Sequence, residues 1–329
     1  MNINFGYGGR YQFEKFRVDA EGNEIAGTRQ VVLPWFDNLI TDVGMNLLGS
    51  APSSQNNLAY CRIGTGNTAP KDSDQALVMQ VGATKTDGVG GAYGLSMDGT
   101  YIYRRVSKRF AAGTISGLNL AEVAMSFSNT GNNAFSRSLL KDISGNPTTI
   151  TLLSDEVLDV VYELRMYLPP QDIEVAAVID GVDTTVTIRR ATLQRQVDFW
   201  AARVGFSIHP DSAGNEQGYP GYSERDATEN AIAAATGWNN AGTGNKAAIQ
   251  VAAYVPGSYT RAVTLTFGLT QANFPTGIGF VTIGTGSLND SRSVCAFGPW
   301  GLIFNPKLNK TNARIATVSF AVTWARYSP

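Results

Sequence analysis

Charge is what this sequence has least of. Asp, Glu, Lys and Arg make up 16% of its 329 residues, against about 25% in an ordinary soluble domain. The signs nearly cancel, 26 Lys and Arg against 27 Asp and Glu, for a formal net charge of −1. A binder of nucleic-acid backbone needs a basic excess, and this balance supplies none, so nucleic acid is not an expected partner. Cysteine is nearly absent as well. Cys61 and Cys295 stand at no zinc or redox spacing, which excludes a disulfide-stapled scaffold and leaves two buried thiols as the expectation. The single histidine, His209, has no second imidazole for a metal site and no G-x-S-x-G elbow for a Ser-His-Asp system. Long apolar runs are missing too. Val175-Ala176-Ala177-Val178-Ile179 is typical of the longest and is far too short for a membrane span. The opening Met1-Asn2-Ile3-Asn4-Phe5-Gly6 has neither the basic nor the apolar region of a signal peptide, so cytoplasmic synthesis is expected.

What is present is enough to fold: 43% hydrophobic residues at near-zero net charge can bury a substantial core. Asp159–Arg165, Thr184–Arg190, Thr264–Phe267 and Thr317–Trp324 alternate and are rich in β-branched residues, the pattern of half-buried strands. Asn129–Asn133 and Ser144–Pro147 are turn clusters, and Asp180-Gly181 between two strand-like runs signals a hairpin. Two segments read as short helices. One spans Asp37 to Leu48, with Asp37 as N-cap and Gly49 just past its end; the other spans Ser223 to Ala235, capped by Ser223. Phe5, Tyr7, Tyr11, Phe13 and Phe16 make the first segment too aromatic to hang free, so it should dock on the body.

The chain also echoes itself. Tyr103-Arg104-Arg105-Val106 parallels Tyr259-Thr260-Arg261-Ala262-Val263, and Arg165-Met166-Tyr167-Leu168-Pro169 parallels Arg326-Tyr327-Ser328-Pro329. The expected fold is therefore mainly β, with two jelly-roll-like β-sandwich domains related by tandem duplication. The first covers residues 1–170 with a helix near 38–48. The second covers 171–329 with a loop and helix insertion near 210–245. The boundary falls at Pro169-Pro170-Gln171, where consecutive prolines end a strand.

Few residues carry candidate chemistry. Gly64-Thr65-Gly66 and Gly284-Thr285-Gly286 lack the third glycine and following helix of a dinucleotide fingerprint and read as turns. Asp155, Glu156 and Asp159 are the densest acidic group; they read as a solvated turn before a strand, and no spacing sets two carboxylates across a glycosidase cleft. Asp72-Ser73-Asp74 and Asn289-Asp290 are oxygen-rich but lack the EF-hand pattern for calcium. Arg104, Arg105, Lys108 and Arg109 form a basic run; on a strand 105 and 109 share one face and 104 and 108 the other. It reads as a solvated face or a charge partner for another subunit. Tyr219, Tyr222 and Trp238 flank the insertion beside Asn and Gly. They read as loop packing, or as rings that stack on a sugar or anchor a partner.

Taken in order, several stretches are familiar. They are Asn38-Leu39-Ile40-Thr41-Asp42-Val43-Gly44-Met45-Asn46-Leu47-Leu48-Gly49, Cys61-Arg62-Ile63-Gly64-Thr65-Gly66-Asn67-Thr68-Ala69-Pro70, Phe110-Ala111-Ala112-Gly113, Leu118-Asn119-Leu120-Ala121-Glu122-Val123, Phe135–Asp142 and Ile150–Arg165. This order resembles tail proteins of double-stranded DNA bacteriophages: tail fibre, baseplate or minor structural components. The resemblance covers roughly residues 30–170 and does not extend to residues 171–329. It implies a virion structural protein in the tail, at a baseplate, collar or fibre attachment, assembled in the host cytoplasm. It implies no enzymatic activity, no cofactor and no metal. The partners implied are other phage tail proteins and further copies of the chain in a symmetric ring or spike. The alternative is a receptor- or glycan-binding fibre or spike that meets host surface glycan through Tyr219, Tyr222 and Trp238. A polysaccharide-cutting fibre is disfavoured because the short-period repeats of a β-helix are missing.

Overall fold

The structure is a computed structural model that describes residues 1–50, 58–96, 98, 100–167, 172–190, 222–223, 248–283 and 300–327. In chain order it forms β1 (Asn2–Arg17), β2 (Gln30–Asp37), β3 (Leu39–Ile40), helix α1 (Asp42–Ser50), β4 (Tyr60–Gly64) and β5 (Gln80–Thr84). Then come β6 (Ala92–Leu95), β7 (Tyr101–Phe110), β8 (Glu122–Ser126), β9 (Ala134–Leu139) and β10 (Glu156–Tyr167). Beyond them lie β11 (Ile173–Ile179), β12 (Val182–Arg190), β13 (Tyr222–Ser223), β14 (Ala248–Val251), β15 (Thr260–Phe267), β16 (Ile278–Ile283), β17 (Trp300–Leu308) and β18 (Ala316–Arg326). The protein is mainly β, and α1 is the one helix among the described residues.

β1 organises the molecule. Ile3, Phe5, Tyr7, Tyr11 and Phe13 recur at odd positions and are all buried, so period-2 alternation gives the strand one fully apolar face. Along one edge β1 pairs with β10, antiparallel, from Gly6 to Arg17. Its other edge is shared: β18 runs parallel to Asn2–Tyr7, and β2 runs antiparallel to Arg10–Lys15. The resulting eight-stranded sheet has the order β14-β15-β18-β1-β10-β7-β6, with β2 as a branch. A second sheet holds β11-β12-β17-β16-β13 and a third β3-β9-β8-β4-β5. Phe13, Met125, Phe135, Val186, Phe267 and Trp324, drawn from all three sheets, belong to one continuous buried cluster.

The four alternating stretches of the sequence lie in β10, β12, β15 and β18. The hairpin at Asp180-Gly181 is present: Ile179 faces Val182, and both turn residues have positive φ, +53° and +78°. That is the type I′ geometry whose twist matches the flanking strands, and Gly181 adopts it without steric cost. The segment containing Phe5 to Phe16 is docked, as the central strand.

The first helix differs from expectation. It starts at Asp42, because Leu39 and Ile40 instead pair with Arg137 and Ser136 of β9. Asp37 closes β2, and Thr41 is the cap, its Oγ1 accepting the Gly44 N–H at 3.1 Å. Gly49 lies inside the helix rather than beyond it. The second expected helix is not capped by Ser223, which is part of β13; the rest of that segment and of the 210–245 insertion lies outside the described residues. The boundary at Pro169–Gln171 does so too. Strands from both sides of it share the eight-stranded sheet through β1 and β18.

Candidate functional site

The register of β1, β10 and β7 lines up two rows of charge on one face of the large sheet. Arg10, Glu163 and Arg105 stand opposite one another, and so do Glu14, Asp159 and Arg109. Four residues separate the rows along each strand, so they lie about 13 Å apart.

In the first row three guanidinium groups converge on one carboxylate that has no exposed surface. Arg10 Nε donates to Glu163 Oε1 at 2.8 Å, Arg165 Nε to the same oxygen at 2.7 Å, and Arg105 Nε to Oε2. Arg165 also donates from Nη1 to the Tyr167 hydroxyl at 3.2 Å. Aromatic rings back each cation: Trp35 lies 4.2 Å from the Arg10 guanidinium and 5.3 Å from that of Arg105, Tyr103 lies 4.8 Å from Arg105, and Tyr101 4.4 Å from Arg165. Burial alone would raise the Glu163 carboxyl; hydrogen bonds from Arg165, Arg105 and Arg10 outweigh it and hold the group below the ordinary glutamate value. A carboxylate held ionised in this way is no proton donor near neutral pH.

The second row is closed. Arg109 grips Asp159 with two parallel bonds, Nε to Oδ1 and Nη2 to Oδ2, both 2.7 Å. Arg29 adds Nη1 at 2.9 Å and turns its Nη2 to Glu24 at 2.6 Å. Phe16 backs both arginines, at 4.2 and 5.0 Å. Beyond the first row the face becomes aromatic. Tyr167 and Tyr327 stack at 3.5 Å with ring planes 8° apart, and Tyr101 meets Tyr167 at 5.2 Å.

A separate buried centre lies in the third sheet. Glu122 accepts backbone N–H groups from Gly66, Val78 and Met79 at 3.2, 3.1 and 2.7 Å, and Arg137 donates to it from Nε and Nη2 at 3.1 and 2.8 Å. Gly64-Thr65-Gly66 is not the turn expected: Gly64 ends β4, the Thr65 N–H goes to the Met79 carbonyl, and the Gly66 N–H meets this internal carboxylate. A Cβ on Gly64 would stand 2.6 Å from Glu122 Oε1, and one on Gly66 would collide with the same oxygen. Only glycine lets the chain approach so closely.

These contacts correct several expectations. Glu156 and Asp159 are not in a solvated turn: both are buried on β10, Glu156 with Lys15 at 2.8 Å and Asp159 between Arg109 and Arg29. Asp155 keeps a partly exposed pair with Arg17. Arg105 and Arg109 do share a face, but neither is merely solvated; each has an intramolecular partner, as does Lys108 with Asp87 at 2.6 Å. Asp72 and Asp74 point to arginines, Arg326 at 3.2 Å and Arg137 at 2.6 Å, and no acidic trio able to hold a metal occurs among the described residues. Cys61 is buried, and burial pushes its thiol up.

Tyr219, Trp238, His209, Cys295, Gly284–Gly286 and Asn289-Asp290 lie outside the described residues. Of the Tyr222 site only the backbone is described, paired with Val281. Glu163, Arg10, Trp35, Glu122 and Arg137 went unnoticed in the sequence. The available signal was a matched spacing of four: Arg105 and Arg109 on one strand, Asp159 and Glu163 on another. Charges in an otherwise apolar alternation find partners when that spacing recurs on a neighbouring strand. No helix among the described residues is long and apolar enough to cross a membrane. No protein-family model, curated protein or solved structure matches the chain.

Proposed function

We propose that this chain is a structural subunit of a bacteriophage tail, acting through contacts with other tail proteins and with further copies of itself in a symmetric assembly built in the host cytoplasm. The resemblance over residues 30–170 points to the tail. The observation that carries the structural role is the direction of the charges. A sequence already poor in charge turns Glu122, Asp159, Glu163 and Arg137 inward, with at most 1% of each side chain exposed. Between exposed charges such as Asp72 and Asp87, the outer surface holds uncharged polar groups and apolar side chains such as Val78, Met79 and Val178. Such a surface is covered by a neighbour at little desolvation cost, since burying charge is the expensive step. This reading assigns the chain no reaction.

The tandem duplication and its two sandwiches belong to the same proposal. Two observations support the duplication. The echoed pairs β7–β10 and β15–β18 flank β1 on opposite sides, and the tyrosines that close the two echoed motifs, Tyr167 and Tyr327, stack on each other.

The test is assembly. Light scattering on the purified protein should give one defined oligomer, and mass spectrometry of purified phage particles should find the chain. A strict monomer absent from particles would overturn the proposal.

A further inference from the structure

Each arginine around Glu163 makes its ion pair through Nε. Among the described residues, the terminal amino groups of Arg10 and Arg105 have no hydrogen-bond acceptor, and those of Arg165 reach only the Tyr167 hydroxyl. The three side chains retain 21%, 30% and 14% of their surface, while Glu163 retains none. Asp37 stands opposite Arg10 on β2 but forms no ion pair with it among the described residues. Three guanidinium groups thus face one buried carboxylate. At direct contact the cluster carries two surplus positive charges, with N–H groups at the surface. Asp159 shows the contrast: its arginines are doubly engaged and two further carboxylates, Glu14 and Glu24, share Arg29.

We propose that the Arg10–Arg105–Arg165 cluster is the docking site for an acidic peptide segment of a partner protein, its Asp or Glu carboxylates taking the terminal N–H groups. The proposal rests on the assembly reading only in choosing a protein as partner. Rings beneath the guanidinium planes hold them in place, so little freedom is lost on binding. Tyrosine, tryptophan and arginine together are also the composition of interface hot spots. A sugar fits this face less well. Stacking on a pyranose needs an open ring face, and here Tyr167 and Tyr327 cover each other, Tyr101 lies against Tyr167 and Arg165, and Tyr103 and Trp35 lie against arginines.

The experiment is an anisotropy titration of the full chain with a fluorescein-labelled hexaglutamate peptide at low ionic strength, with tetragalacturonate as the competing acidic sugar. Saturable binding is expected, weakened about tenfold by Arg10→Gln and again by Arg105→Gln, the size of one charged hydrogen bond. Arg10→Lys and Arg105→Lys keep the charge, fold if the glutamine variants do not, and should weaken binding less than they do. Arg17→Gln, at the exposed pair with Asp155, should leave it unchanged. No saturable binding, an equal loss in Arg17→Gln, or tighter binding of tetragalacturonate would each overturn the site. A chain that forms its oligomer but ignores the peptide sinks this site alone; a monomer that binds the peptide sinks the assembly reading instead.

Discussion

Glu122 and Glu163 are both strand glutamates with no exposed side-chain surface, and the protein holds them in opposite ways. Glu122 is enclosed by main chain: three N–H groups and one arginine, itself buried, saturate its oxygens. Glu163 is enclosed by side chains whose far ends reach solvent. The first arrangement fixes two loops to a sheet and leaves nothing over. The second neutralises one charge with three and leaves surplus charge at the surface. Burial of a carboxylate therefore says little by itself about function; the exposure of its partners separates a structural staple from a surface that can bind.

Glu122→Ala should have the largest effect. It removes one of the two carboxylates that hold the buried Arg137, leaving Asp74, and frees three N–H groups, a loss of about 3–5 kcal/mol, read from the urea midpoint. A loss below about 1 kcal/mol would mean that the enclosure of Glu122 adds little.

Glu163→Gln should cost less at neutral pH, about 1–3 kcal/mol, because its three arginines can rehydrate. It should also change the acid limb of stability. The unfolded-state pKa of Glu163 is about 4.3, and the folded-state value lies below it. Its contribution is therefore complete above the unfolded value and is lost as pH falls through the folded one. Urea midpoints measured across the acid range should fall less steeply for Glu163→Gln than for the parent; identical slopes would show that the three arginines do not favour the ionised form.

The smallest effect belongs to Arg17→Gln. Its pair with Asp155 is exposed on both sides and should contribute at most about 0.5 kcal/mol. A larger loss would blur the distinction between enclosed and open pairs.

Much of the fold was legible because strand alternation is local. β10, β12, β15 and β18 follow from runs of β-branched and apolar residues, and the Asp180-Gly181 hairpin from its turn chemistry. β1 was harder to read: Gly6, Gly8 and Gly9 interrupt the alternation that Ile3, Phe5, Tyr7, Tyr11 and Phe13 carry. The helix start moved because Leu39 and Ile40 are claimed by β9, a tertiary preference that overrides an apolar face. The charged face could not be found from sequence spacing alone. Arg10, Arg105 and Glu163 meet only once β1, β10 and β7 are in register, and that register joins Glu163 to residues 153 and 58 positions away in the chain.

The pairing of β1 with β18 has a consequence in time. Asn4 finds its neighbour at Thr323, and a ribosome adding roughly 5–20 residues per second needs on the order of half a minute to travel between them. Through that interval the first strand of the chain has an unfinished edge, and open edges invite pairing with other chains. The dependence on so distant a partner also raises contact order and slows folding. In a crowded cell making many copies at once, the moment of greatest risk for this protein falls before its last strand has been made.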